Sequence, residues 1–282
     1  MEIKAADVAK LRAMTGAGMM DCKKALVEAE GDFDRAQDII REKGKLVAAK
    51  RADRTATQGV VASKIVGQKG YMLCLACETD FVAQNADFVA ATNAILDIAV
   101  EADAADLDAL LAVVKDGKTV AEIVTEKSGQ TGEKVELAYY GKIEAPMCVT
   151  YIHMNSKLGT LIGFNKEIDK EVAKDVAMQA AAMAPVSIDK GDCDPKIIEH
   201  ERMIGREQAR QEGKPEAMLD KIAEGKVNKF LKENTLLNQD LVKNNKISVG
   251  TYIKEADKDW YFHREIFTRK SGKKHRLEPK VR

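Results

Sequence analysis

The sequence predicts an α+β fold: a three-helix unit, a core of two similar α+β halves, and an antiparallel helical hairpin. Three observations carry this. The apolar spacing is helical over residues 1–54 and changes to a period of two from Gly59. The plan that follows is strand, glycine turn, strand, acidic junction, helix, and it recurs at a constant offset of 89 residues. Two long polar helical stretches then flank Glu212-Gly213-Lys214-Pro215, a turn of helix-breaking residues.

Composition bounds the function. A chain of 282 residues is long for a single core, so two or three domains are expected. Its 45 basic and 45 acidic side chains leave no net charge, so the chain as a whole has no attraction for nucleic acid or membrane. No apolar run is long enough to span a membrane, and Met1-Glu2-Ile3-Lys4 lacks the pattern of a signal peptide. A cytoplasmic protein is therefore expected. Five cysteines, Cys22, Cys74, Cys77, Cys148 and Cys193, are odd in number and scattered, which argues against a disulfide framework. Cys74 and Cys77 match the spacing of a redox or half-zinc motif. They sit in an apolar strand with no second pair to complete a site, and read as buried structural thiols.

Within residues 1–54, the first helix carries Val8 and Leu11 and ends at Thr15-Gly16, a C-cap glycine. The second starts after Gly18 and holds Met19, Met20, Cys22, Ala25 and Leu26. The third is capped by Asp32, turns Phe33, Ala36, Ile39 and Ile40 inward, and is expected to close at Gly44. So small a core suggests a module that presents a surface. Adjacent methionines at a helix start cannot both face one small core, and methionine is an adaptable contact residue. Gly16 to Met20 is thus either a binding loop or plain core. Lys45 to Gln58, basic and small, is expected to be a semi-mobile connection.

The core occupies residues 55–144 and then 145–190 with 234–268. Val61, Ser63 and Ile65 share one strand face, Gly67 to Gly70 turn, and Tyr71 to Cys77 return as a buried strand. Thr79-Asp80-Phe81-Val82 follows, then a helix from near Ala83 with Phe88, Val89, Ile95, Leu96 and Ile98. Further helices are expected over 107–114 and 120–127, and a strand over 135–143. In the second half Gly159, Ile162, Phe164, Glu167 and Asp169 match Gly70, Leu73, Leu75, Glu78 and Asp80. Asp80 and Asp169 both read as helix N-caps. Lys170, however, stands where the first half has Phe81. That aromatic is either folded into the core or presented to a partner, and the comparison between halves favours something only the first half does.

Residues 191–233 form the expected hairpin, with Leu219, Ile222, Ala223, Val227 and Phe230 on its second arm. A short helix over 248–255 and a strand from Trp260 to Phe267 return to the core. Residues 269–282 carry seven basic residues against one acid and read as a disordered basic tail, the one stretch suited to nucleic acid.

No catalytic constellation is present. His153, placed mid-strand, His200, His263 and His275 lie in unrelated settings, and no nucleophile elbow, Walker loop, dinucleotide fingerprint or HExxH motif occurs. A binding or regulatory protein is expected rather than an enzyme, with no cofactor and no bound metal.

Two segments carry a family resemblance. Thr15-Gly16-Ala17-Gly18-Met19-Met20-Asp21-Cys22-Lys23-Lys24-Ala25-Leu26 and Glu78-Thr79-Asp80-Phe81-Val82-Ala83 resemble the signature segments of bacterial translation elongation factor Ts. The likeness extends through the duplicated core and Gly213-Lys214-Pro215 to about residue 268. It implies a ubiquitin-associated-like N-terminal module, two core subdomains, a protruding coiled coil, and guanine nucleotide exchange on elongation factor Tu. It further implies that Thr79, Asp80, Phe81 and Val82 dislodge the partner's Mg2+, the aromatic acting as a wedge. Met19, Met20, Asp21 and Lys23 would hold the GTPase, and His153 would lie near its nucleotide side. A homodimer or 2:2 complex is left open. Some relatives end in an extra helical module, and contacts of that module are not expected here. Two rivals remain: an adaptor binding other regulatory proteins through its N-terminal module, and nucleic-acid binding through the basic tail.

Overall fold

The structure is a computed structural model that describes residues 3–259, 262–270 and 273–277. It divides into two compact units, Met1–Ala62 with Met72–Gly141, and Ser63–Tyr71 with Lys142–Arg282.

In the first unit, α1 (Ala5–Thr15), α2 (Met19–Glu28) and α3 (Phe33–Lys50) enclose Val8, Leu11, Cys22, Ala25, Leu26 and Ala36. Gly16 ends α1 in the left-handed region (φ 66°), where a side chain would be strained. Asp32 caps α3 by accepting from the Asp34 and Arg35 N–H groups. The expected stop at Gly44 is overturned, and with it much of the expected connection over 45–58. The helix runs on to Lys50, because Gly44 serves a close approach: a Cβ on Gly129 would lie 2.5 Å from its Cα. Such contact between helix backbones needs glycine at the crossing, and no side chain marks it in the sequence.

Strands β1 (Gln58–Val66), β2 (Lys69–Cys77) and β5 (Glu136–Glu144) form a sheet in the order β1-β2-β5. Residues 70–77 are buried throughout, as their unbroken apolar character requires. After β2 come a one-turn helix, α4 (Asp80–Ala83), and α5 (Ala86–Glu101), which buries Phe88, Ile95, Leu96 and Ile98. Next are α6 (Leu107–Ala112), the two-residue strands β3 (Val114–Lys115) and β4 (Lys118–Thr119), and α7 (Val120–Thr131).

The second unit is built on β6 (Met147–Ile152), β7 (Leu158–Phe164) and α8 (Lys170–Met183). The expected duplication is visible in the element boundaries: an offset of 89 carries the starts of β1 and β2 onto those of β6 and β7. β6 and β7 pair antiparallel from Met147↔Phe164 to Ile152↔Gly159. Ile162, Phe164, Val172, Val176, Ala177, Leu236, Val249 and Ile253 form the core. α9 (Pro195–Gln211) and α10 (Glu216–Asn234) make the helical hairpin, with Gly213 in the left-handed region (φ 73°) at its tip. Its seam is narrow. Gly205 on α9 lies against Ala223 and Lys226 on α10, and Ala209, Leu219 and Val227 are buried along the two arms. Ion pairs Arg202–Glu224, Arg206–Asp220 and Arg210–Glu216 border the seam.

β8 (Asp240–Leu241), β9 (Asn244–Ser248) and α11 (Val249–Ala256) follow, then β10 (Phe262–Lys270) and β11 (Lys273–Leu277). Trp260 and Tyr261, where a strand was expected to begin, lie outside the described residues, as do Ser271, Gly272 and residues 278–282. The expected disorder from residue 269 is corrected in part. β10 pairs with β7 on one side and with β11 on the other, in the sheet order β11-β10-β7-β6. Backbone pairing thus orders a stretch that has little apolar content. Among the described residues no helix is long and apolar enough to cross a membrane.

Candidate functional site

The corner after β2 is set by one threonine and two acids. Thr79 has extended backbone and is the N-cap of α4: its Oγ1 accepts from the Val82 N–H at 3.4 Å. Asp80, expected to be the cap, is instead the first residue of the helix. Its carboxylate is exposed and without a hydrogen-bond or ion-pair partner among the described residues. The reason is local: Thr79 stands one position earlier and already satisfies the free N–H group. In the second unit Asp169 does cap α8, accepting from Glu171 and Val172. The two halves therefore cap differently. A second cap, Asn85, accepts from the Asp87 N–H at 2.8 Å and restarts the chain as α5.

Glu133, just beyond α7, holds the other side of the corner. Its Oε2 accepts from the Glu78 and Thr79 N–H groups, both at 3.0 Å, and its Oε1 accepts from the Thr79 hydroxyl at 2.6 Å. Glu78 reciprocates: its Oε1 accepts from the Lys134 N–H at 2.6 Å, and both its oxygens accept from the Arg51 guanidinium at 2.9–3.0 Å. The Lys134 N–H, then Arg51, hold the Glu78 carboxyl below its usual range. Hydrogen bonds to charged groups contribute about 1.5–3 kcal/mol each, so this double clasp is a strong local constraint.

What the clasp holds out is apolar. Phe81 is 86% exposed, while Ala83 is buried and Val82 lies between. This removes one of the two readings left open by the sequence, since the ring takes no part in the core. Large aromatics gain most from burial and are seldom left bare on a constrained turn without a partner.

In the N-terminal helices neither methionine belongs to the core. Met20 is 64% exposed. Met19 is 43% exposed and lines a cavity of about 1020 Å3 with Met14, Gly16, Ala91, Ala94 and Ile98. Lys23 is exposed, whereas Asp21 is partly buried and paired with Lys43 of α3, so its carboxylate is already engaged. His153 is exposed and lies just past β6, in the turn to β7, rather than mid-strand. Pairing of β6 ends at Ile152↔Gly159, and the His153 Nδ1 is 3.0 Å from the Tyr151 hydroxyl. Thr79–Val82 and the methionine loop belong to the first unit, and His153 to the second.

The residues that sequence reasoning missed are Glu133 and Arg51. Their partner at 78–79 is far along the chain, and nothing local marks them beyond Gly132, which ends α7 in the left-handed region (φ 71°) and turns Glu133 off the helix. Cys74 and Cys77 are buried within β2, and burial pushes the Cys148 thiol up to about 11, which suits that thiol to packing rather than reaction.

Comparison with known proteins gives a consistent result. The family model for elongation factor TS matches residues 78–270. The elongation factor Ts of Cytophaga hutchinsonii is 50% identical over 257 residues, covering 89% of this chain and 92% of that protein. That of Porphyromonas gingivalis is 46% identical over 259 residues, covering 92% and 94%. That of Christiangramia forsetii is 48% identical over 260 residues, covering 91% and 94%. With this breadth of likeness across both units, the chain belongs to the elongation factor Ts family.

Proposed function

We propose that this protein is a guanine nucleotide exchange factor that binds elongation factor Tu carrying GDP and promotes GDP release by displacing the GTPase's Mg2+. It acts by protein–protein binding rather than as an enzyme, in the cytoplasm. The observation that carries the reading is the exposure of Phe81, together with the unpartnered carboxylate of Asp80, on a corner clasped from both sides. Thr79 and Val82 form the base of that corner. Phe81 wedges into the GTPase, and Asp80 acts on the metal. The exposed Met19, Met20 and Lys23 supply an anchoring surface, with Asp21 bracing α2 against α3, and His153 adds a contact from the second unit.

The energetics suit shared labour. A ligand shifts an equilibrium only by its differential affinity for two states, so the factor must bind the nucleotide-free GTPase better than the loaded one. Burying one Phe gives about 1.5–3 kcal/mol. A thousandfold faster release needs about 4 kcal/mol, at about 1.36 per decade. The wedge therefore needs help, which loss of the metal provides, because the ion is the largest charge neutralising the phosphates. The test is release of a fluorescent GDP from elongation factor Tu by stopped flow. Wild type accelerates release and Phe81→Ala loses most of the acceleration. Equal rates for the two proteins would reject the wedge.

A further inference from the structure

We propose that Glu133 is a positioning residue for nucleotide exchange, and that the segment from Gly129 to Lys134 seats the methionine loop and the Thr79–Val82 corner on one base. The role in exchange rests on the function proposed above; the role in holding the corner does not.

α4 is a single turn, far too short to be stable by its own hydrogen bonds. The Phe81 side chain is out in solvent and gives the corner no packing. The direction of the ring therefore depends on the backbone of residues 78 and 79. That backbone is held by one carboxylate, which accepts both N–H groups and the hydroxyl of the capping threonine. The same threonine oxygen then caps α4, so Glu133 acts on Phe81 through Thr79.

Neighbouring residues tie the same segment to the N-terminal helices. Gly129 meets Gly44 of α3 at backbone contact. Gln130 Nε2 donates to the Thr15 carbonyl at 2.5 Å, at the start of the loop that leads to Met19 and Met20. Lys134 donates its N–H to Glu78, and its Nζ to the Ala52 carbonyl at 2.9 Å. Within these six residues, Gln130 thus touches the base of the methionine loop, while Glu133 and Lys134 touch the base of the corner. A carboxylate is suited to the central place, since it accepts several hydrogen bonds at once.

The experiment uses the full chain in two measurements. In the free protein, amide hydrogen exchange of residues 78, 79, 82 and 83, whose N–H groups are bonded at the corner, is compared among wild type, Glu133→Ala and Glu133→Gln. Alanine should release those amides to faster exchange. Glutamine should largely restore protection, because its oxygen still accepts and the Thr79 hydroxyl can rotate to accept from the amide. In GDP release from elongation factor Tu, Glu133→Ala should lower the maximal rate, by up to about a hundredfold for a misplaced group, with little change in the half-saturating concentration. A variant that merely loses folded protein would move the half-saturating concentration instead. Combined with Phe81→Ala, it should cost clearly less than the sum of the two single losses, since much of its effect runs through the same ring and only the share carried by Asp80 remains.

Unchanged protection of residues 78, 79, 82 and 83 in Glu133→Ala overturns the proposal. Losses that add in the double variant overturn the role in exchange. If Phe81→Ala alone released nucleotide at the wild-type rate, the wedge would fall, and the hydrogen-exchange comparison would still decide whether Glu133 holds the corner.

Discussion

The crossing of α3 and α7 supports the base of the corner, and it predicts opposite outcomes for one substitution made at two sites. A Cβ placed on Gly129 would lie 2.5 Å from the Gly44 Cα and 3.4 Å from its N. Both are backbone atoms and cannot rotate away, so the helices must separate. Alanine is the better helix former by about 1 kcal/mol, which favours the variant. Overpacking a close contact costs about 1–3 kcal/mol, which opposes it. The net for Gly129→Ala is a loss of up to about 2 kcal/mol. Gly225, inside α10, has nothing within 4 Å of its Cβ position. There the propensity acts alone, and Gly225→Ala should gain about 0.5–1 kcal/mol. Thermal unfolding followed by circular dichroism reads the contrast. At about 2–4 °C per kcal/mol, Gly129→Ala should melt up to about 8 °C below wild type and Gly225→Ala a few degrees above it. If Gly129→Ala were as stabilising as Gly225→Ala, the backbone contact and the interlock built on it would be wrong.

Asp169→Ala should destabilise the second unit by about 1 kcal/mol through loss of the α8 cap, with Asp169→Asn close to wild type, both read by denaturant unfolding. Glu78 gives a pH dependence. Because the Lys134 N–H and Arg51 lower its folded value below the usual 4.5, its contribution is fully present above that pH and fades as pH falls through the lowered folded value. Unfolding free energies of wild type and Glu78→Gln should therefore converge in acid, and a constant difference down to pH 2–3 (about two units below the usual value) would refute the clasp. Met20→Asp, at an exposed site, should change stability by no more than about 0.5 kcal/mol. It should weaken binding to elongation factor Tu by more than about 1 kcal/mol, as measured by fluorescence anisotropy.

Much of the architecture could be read from periodicity. The change from helical to alternating spacing marked the passage from α3 to β1, and the internal offset located both strand pairs, although the second turn, 153–157, holds no glycine and Gly159 lies inside β7. Local signals failed where a distant contact used the same residue for another purpose. Gly44 looks like a helix stop until α7 is seen against it. Asp80 looks like a cap until the threonine before it is found to hold the N–H. His153 was placed in mid-strand but lies just past the end of β6, because the period of the apolar residues does not show where pairing ends. Glu133 was not legible, since its partners lie 54 and 55 residues away and an exposed-looking acid after a helix carries no mark of what it accepts. The exposure of Phe81 was the alternative that the mismatch with Lys170 favoured, and it is decided by the position of the ring. In the basic stretch from residue 269, the described residues 269–270 and 273–277 were misread because strand pairing needs backbone rather than apolar side chains.

The most direct test of the exchange reading is the affinity of this protein for elongation factor Tu in its nucleotide-free state and in its Mg2+–GDP state. Linkage requires that whatever factor separates the two affinities also weakens GDP binding in the complex. The account predicts a stable complex with the empty GTPase, about a thousandfold tighter than with the loaded one, the ratio that about 4 kcal/mol provides. Equal affinity for the two states, however tight, would contradict it.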